Sequence, residues 1–170
     1  MRTEKFKRKT DWFIETGSYI GLGIDLALRS GFDTVFSIEI AETYYNLCDI
    51  KFKNEPRVKL ILGDSYYKLG ELLDKYSTTP FTYWLDGHYS GGDTGFGVEE
   101  TPLIRELEFI LSRNIEGELI YVDDMRLYQN MNECVNIEKI KALLKKYKPN
   151  CEVWYESTQF DPQDILCIEY

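Results

Sequence analysis

Apolar and polar positions along this chain follow two alternating periods. Short apolar runs near 12–15, 34–39, 57–62, 81–86 and 118–123 read as buried strands. Amphipathic patterns near 22–30, 41–53, 66–76 and 98–113 separate them and read as helices. Ile104, Leu107, Ile110 and Leu111 give the last of these the three-four spacing of a one-sided helix. Ile137, Ile140, Leu143 and Leu144 do the same for a helix near 135–147, which Pro149 helps to end. Two further strands, Cys151–Glu156 and Asp164–Glu169, flank a polar turn containing Asp161-Pro162 and read as an antiparallel hairpin. Five β/α units closed by a hairpin predict an α/β, three-layer sandwich. Its sheet is seven-stranded and mostly parallel, with one reversed strand at an edge. No repeat or linker interrupts the pattern, so residues 1–170 are read as a single domain.

Composition narrows the function classes. An apolar share of 44%, with 13 Tyr and 9 Phe, supplies a core and excludes a disordered chain. A formal net charge of −9 weighs against nucleic acid or an anionic membrane as partner. The local basic cluster Lys5, Lys7, Arg8, Lys9 reads as a solvated terminal segment. No apolar run reaches membrane-spanning length, and no hydrophobic signal region follows the basic start. The cysteines at 48, 134, 151 and 167 show no C-x-x-C spacing and read as free thiols, so a cytoplasmic location is expected.

The first strand leads into the most informative segment, Glu15-Thr16-Gly17-Ser18-Tyr19-Ile20-Gly21-Leu22-Gly23. A strand that breaks into a glycine-rich turn and then a helix lets a ligand approach bare backbone. The helix start beyond it offers unpaired N–H groups. Gly17-x-x-x-Gly21-x-Gly23 is not the G-x-G-x-x-G of dinucleotide enzymes. Glu15, two residues before the first glycine, would repel a pyrophosphate and attract the cationic end of an amino acid or sulfonium ligand. A glycine-rich turn without a ligand is the alternative.

Acids recur at the ends of the next strands. Glu39 lies 24 residues after Glu15, one strand–helix–strand unit later, where a carboxylate can accept both hydroxyls of a ribose. A surface acid that begins the following helix is the alternative. Strand three runs into Gly63-Asp64-Ser65, where Asp64 either accepts from an exocyclic amine of adenine or caps a helix.

Taken in order, Glu15-x-Gly17-x-Tyr19-x-Gly21, Glu39 and Gly63-Asp64 resemble the class I S-adenosylmethionine-dependent methyltransferases, which have a Rossmann-like sheet of this strand number. The resemblance covers nearly the whole chain. It implies S-adenosylmethionine as cofactor, with Glu15, Gly17, Tyr19 and Gly21 around the methionine moiety. Glu39 would hold the ribose, and Gly63, Asp64 and Ser65 would lie near the adenine, with Asp86 also facing the cofactor. Many small-molecule methyltransferases carry N-terminal helices over the active site, which this sequence lacks. Acceptor recognition is therefore expected from internal loops, a partner subunit or residues outside this sequence.

A second constellation follows strand four: Trp84-Leu85-Asp86-Gly87-His88-Tyr89, with the chain's only histidine. Strand five ends in Asp123-Asp124. If the two strands are neighbours, Asp86, Asp123 and Asp124 can converge, and like charges that close call for a cation. A hard ion such as Mg²⁺ suits such oxygens, leaves positions for substrate hydroxyls and lowers their pKa. A capped turn and a solvated histidine are the bland alternatives. The same trio is similar to that of metal-dependent O-methyltransferases of the catechol and macrolide-sugar (macrocin) types. That similarity implies Asp86, Asp123 and Asp124 as metal ligands and His88 or Asp86 as base. Trp84–Tyr89 together with Thr101–Leu107 also resembles uncharacterised methyltransferase-like proteins.

The glycine-rich loop Tyr89–Gly97 is expected to close over the site. The expected activity is methyl transfer to a small hydroxylated acceptor such as a sugar, with possible Mg²⁺ assistance. An S-adenosylmethionine-binding protein without catalysis, serving assembly or regulation, is the alternative. A nicotinamide oxidoreductase is disfavoured by the loop spacing and Glu15. The expected partner is a small-molecule acceptor, without nucleic acid or membrane, and a homo-oligomer is left open.

Overall fold

The computed structural model describes residues 6, 7, 9–89, 91, 92, 94–128 and 136–170. Lys5, Arg8, Ser90, Asp93, Cys134 and the first residue of the helix expected at 135–147 lie outside them. The strands are β1 (Trp12–Thr16), β2 (Thr34–Glu39), β3 (Val58–Leu62), β4 (Phe81–Leu85), β5 (Leu119–Val122), β6 (Glu152–Glu156) and β7 (Ile165–Glu169). The helices are α1 (Leu22–Ser30), α2 (Glu42–Phe52), α3 (Ser65–Lys75), α4 (Leu103–Leu111), α5 (Met125–Tyr128) and α6 (Ile137–Tyr147). They form one seven-stranded sheet in the order β3-β2-β1-β4-β5-β7-β6.

Period-two alternation sorts the strand side chains between two cores. Ile14, Phe36, Tyr83, Ile120 and Leu166 face α3, α4 and α6. Phe13, Val35, Trp84, Tyr121 and Cys167 face α1, α2 and Phe6. Phe6 packs its ring 5.1 Å from that of Trp84 and 5.4 Å from that of Tyr121. It thereby covers the β4–β5 part of that face. Lys7 and Lys9 both pair with Glu169 at the end of β7, so this part of the basic cluster is tied down and not simply solvated.

Two sequence expectations need correction. The reversed strand is not at an edge: β7 pairs antiparallel with both β5 and β6, and β6 is the edge. The apolar run Ile165-Leu-Cys-Ile is buried on both faces, whereas β6, Glu-Val-Trp-Tyr-Glu, is half-exposed and suits an edge. The helix expected over 98–113 spans only Leu103–Leu111, with Pro102 at its N-cap position. Residues 98–102 belong instead to the glycine-rich connection. Among the described residues no helix is long and apolar enough to cross a membrane.

Candidate functional site

In a parallel sheet the strand ends leave carbonyls for the next loop to use. Gly17 N–H donates to Ile38 O at 2.9 Å, Gly63 N–H to Glu39 O at 2.8 Å, and Asp86 N–H to Thr16 O at 3.1 Å. Asp123 N–H donates to Leu85 O, also at 3.1 Å. These bonds set the loops after β1, β3, β4 and β5 at one level along the sheet edge. Here a cavity of about 470 Å³ opens, within the size range of small-molecule sites. Glu15, Gly17, Tyr19, Glu39, Gly63, Asp64, Ser65, Asp86, His88 and Asp124 all line it. Two of the expected residues do not. Gly21 is the left-handed N-cap of α1 and packs against Phe52, and Asp123 is buried below the cavity wall.

On the β1–β3 side each carboxylate is fixed by named donors. Ser37 Oγ lies 2.6 Å from Glu15 Oε2 and donates to it, and Ser18 Oγ lies 2.6 Å from Ser37 Oγ. The Glu15 carboxylate fills the space beside Gly23, where a Cβ would overlap it. That contact is why the third glycine of the turn is required. Glu39 accepts from Tyr19 N–H at 2.9 Å and from Ala41 N–H at 2.8 Å, one bond per oxygen. A carboxylate retains further lone pairs after two such bonds, so both oxygens can still accept from a ligand. Asp64 caps α3 by accepting from Tyr66 N–H at 2.9 Å, and its second oxygen accepts from Val98 N–H at 2.8 Å. Through that bond the Gly95–Val98 segment lies directly on the ends of β2 and β3. A Cβ on Gly95 would overlap Ile40, and one on Gly97 would overlap the Asp64 carboxylate.

On the β4–β5 side the groups face one another. His88 Nδ1 lies 3.4 Å from Asp86 Oδ1, and His88 Nε2 lies 3.5 Å from Asp124 Oδ2. Burial works to lower the imidazole pKa, but the Asp86 hydrogen bond and the charges of Asp86, Asp124 and Asp123 outweigh it, and the net shift is upward. Asp124 has a left-handed backbone, φ 59°, a conformation Asp tolerates better than most residues. Its N–H donates to Asp123 Oδ1 at 3.0 Å, and Arg126 donates to its Oδ1 at 2.6 Å.

Sequence spacing expects Asp86, Asp123 and Asp124 to converge. The fold instead forms two groups that share Asp124: Asp86, His88 and Asp124, and Asp123, Asp124 and Asp164. Arg126 bridges Asp124 and Asp164 in the second, and Thr158 also donates to Asp164. Those contacts hold the Asp164 carboxyl below its ordinary pKa despite a burial that opposes them. The first group opens to the cavity and has the oxygen and imidazole donors a divalent ion would need.

Four contributors escape the sequence reading. Asp164 and Arg126 meet only because β7 docks beside β5. Val98 contributes through its backbone. Glu106 is buried in α4, next to Ser65 and Thr16. Burial pushes its carboxyl up to about 7, only partly offset by the Ser65 and Thr16 hydroxyls, with the Asp64 and Asp86 charges adding to the rise. A signal for it was present: it occupies the i+3 position of the buried stripe Leu103, Glu106, Leu107, Ile110.

No protein-family model matches the sequence, and a search of curated proteins finds no match. Solved structures do match. A candidate rRNA-methylase from Clostridium thermocellum aligns at TM-score 0.63 and 20% identity, over 96% of this chain and 90% of that one. An O-methyltransferase from Bacillus cereus in complex with SAH aligns at 0.63 and 13% identity, over 95% and 75%. Cofactor-bound Rv0187 from MTB aligns at 0.64 and 11%, over 95% and 73%. With its strand order and the loops that line the cavity, this chain has the fold of the class I S-adenosylmethionine-dependent methyltransferases.

Proposed function

We propose that this protein is an S-adenosylmethionine-dependent methyltransferase acting on a hydroxyl of a small, uncharged, hydroxylated acceptor such as a sugar. One observation carries the reading. Glu15, Glu39 and Asp64, at the ends of three consecutive strands, line the same cavity as Asp86, His88 and Asp124. The cavity has room for a nucleoside-sized ligand, and its donor set suits this cofactor. Glu39 retains acceptor capacity for a ribose, Asp64 for an amine, and Glu15 supplies negative charge beside the glycine turn.

The cofactor supplies an already activated methyl group on a sulfonium. The protein's own task is to align an acceptor oxygen and take its proton. Asp86 and His88 line the same cavity and form the pair for that step. His88 accepts the hydroxyl proton, and the Asp86 and Asp124 carboxylates on either side of it stabilise the imidazolium that forms. The carboxylates lining the cavity and the absence of any Lys or Arg from its lining, among the described residues, favour an uncharged acceptor over a phosphorylated one or an RNA.

A second reading adds a divalent cation such as Mg²⁺, favoured by the Asp86, His88 and Asp124 grouping. Asp86 and Asp124 would hold it, with His88 turned aside from one of them, and Asp123 would support Asp124 from below. The cation would polarise the acceptor hydroxyl. Calorimetric titration with S-adenosylhomocysteine, followed by transfer of labelled methyl to sugar and catechol panels with and without chelator, tests the proposal. Binding without transfer to any acceptor would favour a non-catalytic, regulatory or assembly role.

A further inference from the structure

Beneath the cavity floor the chain brings four segments to one point. Thr16 ends β1, Ser65 opens α3 just after Asp64, Gly87 follows Asp86, and Glu106 reaches up from α4. A Cβ placed on Gly87 would lie 3.2 Å from Thr16 Oγ1 and 3.4 Å from both Glu106 Oε1 and Ser65 Oγ. Thr16 is 0% exposed, Glu106 1% and Ser65 7%. Neither Glu106 Oε1 nor Thr16 Oγ1 has a hydrogen-bond partner of good geometry. A polar group this deeply buried is costly to retain, and a methionine or leucine would fill the same space in the α4 stripe at lower cost.

We infer that Glu106 is a positioning residue, which holds the ends of β1, β3 and β4 in register and so fixes Asp64 and Asp86 around the cofactor. The inference rests on the methyltransferase reading proposed above. The Thr16 and Ser65 hydroxyls lie beside the carboxyl, and Gly87 closes over all three with only a hydrogen where a side chain would stand. The ionisable groups facing it are Asp64 after β3 and Asp86 after β4, with Tyr128 of α5 also within electrostatic reach. Because Asp64, Ser65 and Asp86 line the cavity while Glu106 does not, Glu106 acts through them and touches no ligand.

The test compares two volume-conserving substitutions in the full chain. Glu106→Met keeps the size and removes the polar head beside Thr16 and Ser65; Glu106→Gln keeps both size and polarity. Titration with S-adenosylhomocysteine should show affinity for Glu106→Met weakened about tenfold or more, and for Glu106→Gln within about threefold of wild type. Thermal unfolding supplies the readout that a purely structural role would not separate. Glu106→Met should melt at or above the wild-type temperature while binding worse. Wild-type affinity in a folded Glu106→Met overturns the inference, and so does equal loss in both variants. Should Glu106→Met fail to fold, Thr16→Val serves in its place, with the same tenfold loss expected and wild-type affinity again overturning the role. If wild type itself does not bind S-adenosylhomocysteine, the methyltransferase reading fails first, a result distinct from any difference among the variants.

Discussion

The two halves of the cavity hold their acids in different ways. On the β1–β3 side, Glu39 and Asp64 accept backbone N–H bonds of 2.8–2.9 Å, and Glu15 is bonded by Ser37. Those carboxylates are set before any ligand arrives, by groups that do not titrate. On the β4–β5 side, Asp86, His88 and Asp124 hold one another across 3.4–3.5 Å, with Arg126 behind. Their geometry depends on charge. Under the proposed function the first half binds the cofactor and the second exchanges a proton, so substitutions and pH should separate them.

The largest separation should come from the second half. Asp86→Asn or His88→Gln is expected to lower turnover about 10²–10⁴-fold, the usual contribution of a positioned acid–base group. Affinity for S-adenosylhomocysteine should change little in His88→Gln. Comparable losses of affinity and turnover in that variant would merge the two halves.

Next comes a pH effect centred under the floor. The Glu106 carboxyl sits at about 7 in the fold against an ordinary 4.5. Between those values the unfolded chain releases this proton while the folded chain keeps it. Stability therefore falls as pH rises through that window, at about 1.4 kcal/mol per unit, and levels off above it. Glu106→Gln should remove this slope and gain about 3 kcal/mol at pH 8, with no gain below pH 4, read by denaturant unfolding. His88 has the same sign in a higher window. Its contribution is present below its ordinary 6.5 and lost as pH passes its raised folded value, so His88→Gln should flatten only the upper part of the curve.

A smaller effect should come from the pinned half. Glu39→Ala leaves the Tyr19 and Ala41 N–H groups without their acceptor and removes the candidate ribose contact. Affinity for S-adenosylhomocysteine should fall about 30-fold, or about 2 kcal/mol, with the pH profile unchanged. A shifted profile would show that the halves share charge.

The same division explains what the sequence reveals. Glu15, Glu39, Asp64 and Asp86 are legible because strand-end position is a local property, fixed by where an apolar run stops. The β-α order from β1 to β5 follows from the same periodicity. The β4–β5 half is less legible because its partners are distant in sequence. Asp123 turns toward Asp164, 41 residues on, and not toward Asp86, because β7 inserts beside β5. The placement of β7 is itself a competition between two hairpin strands, won by the more apolar one. Residues 98–102 read as part of the helix expected over 98–113, yet Val98 N–H is committed to Asp64. Glu106 was hidden by its type: an acid in an amphipathic helix reads as a solvent-facing residue unless its place in the apolar stripe is counted.

Under the proposed function, the acids ending β1, β2 and β3 form a prebuilt S-adenosylmethionine site. Calorimetric titration of the full chain with S-adenosylhomocysteine and, separately, with NAD tests it most directly. Saturable one-to-one binding of S-adenosylhomocysteine, weakened in Glu39→Ala, is expected, with no heat from NAD. Saturable binding of NAD with none of S-adenosylhomocysteine would contradict it.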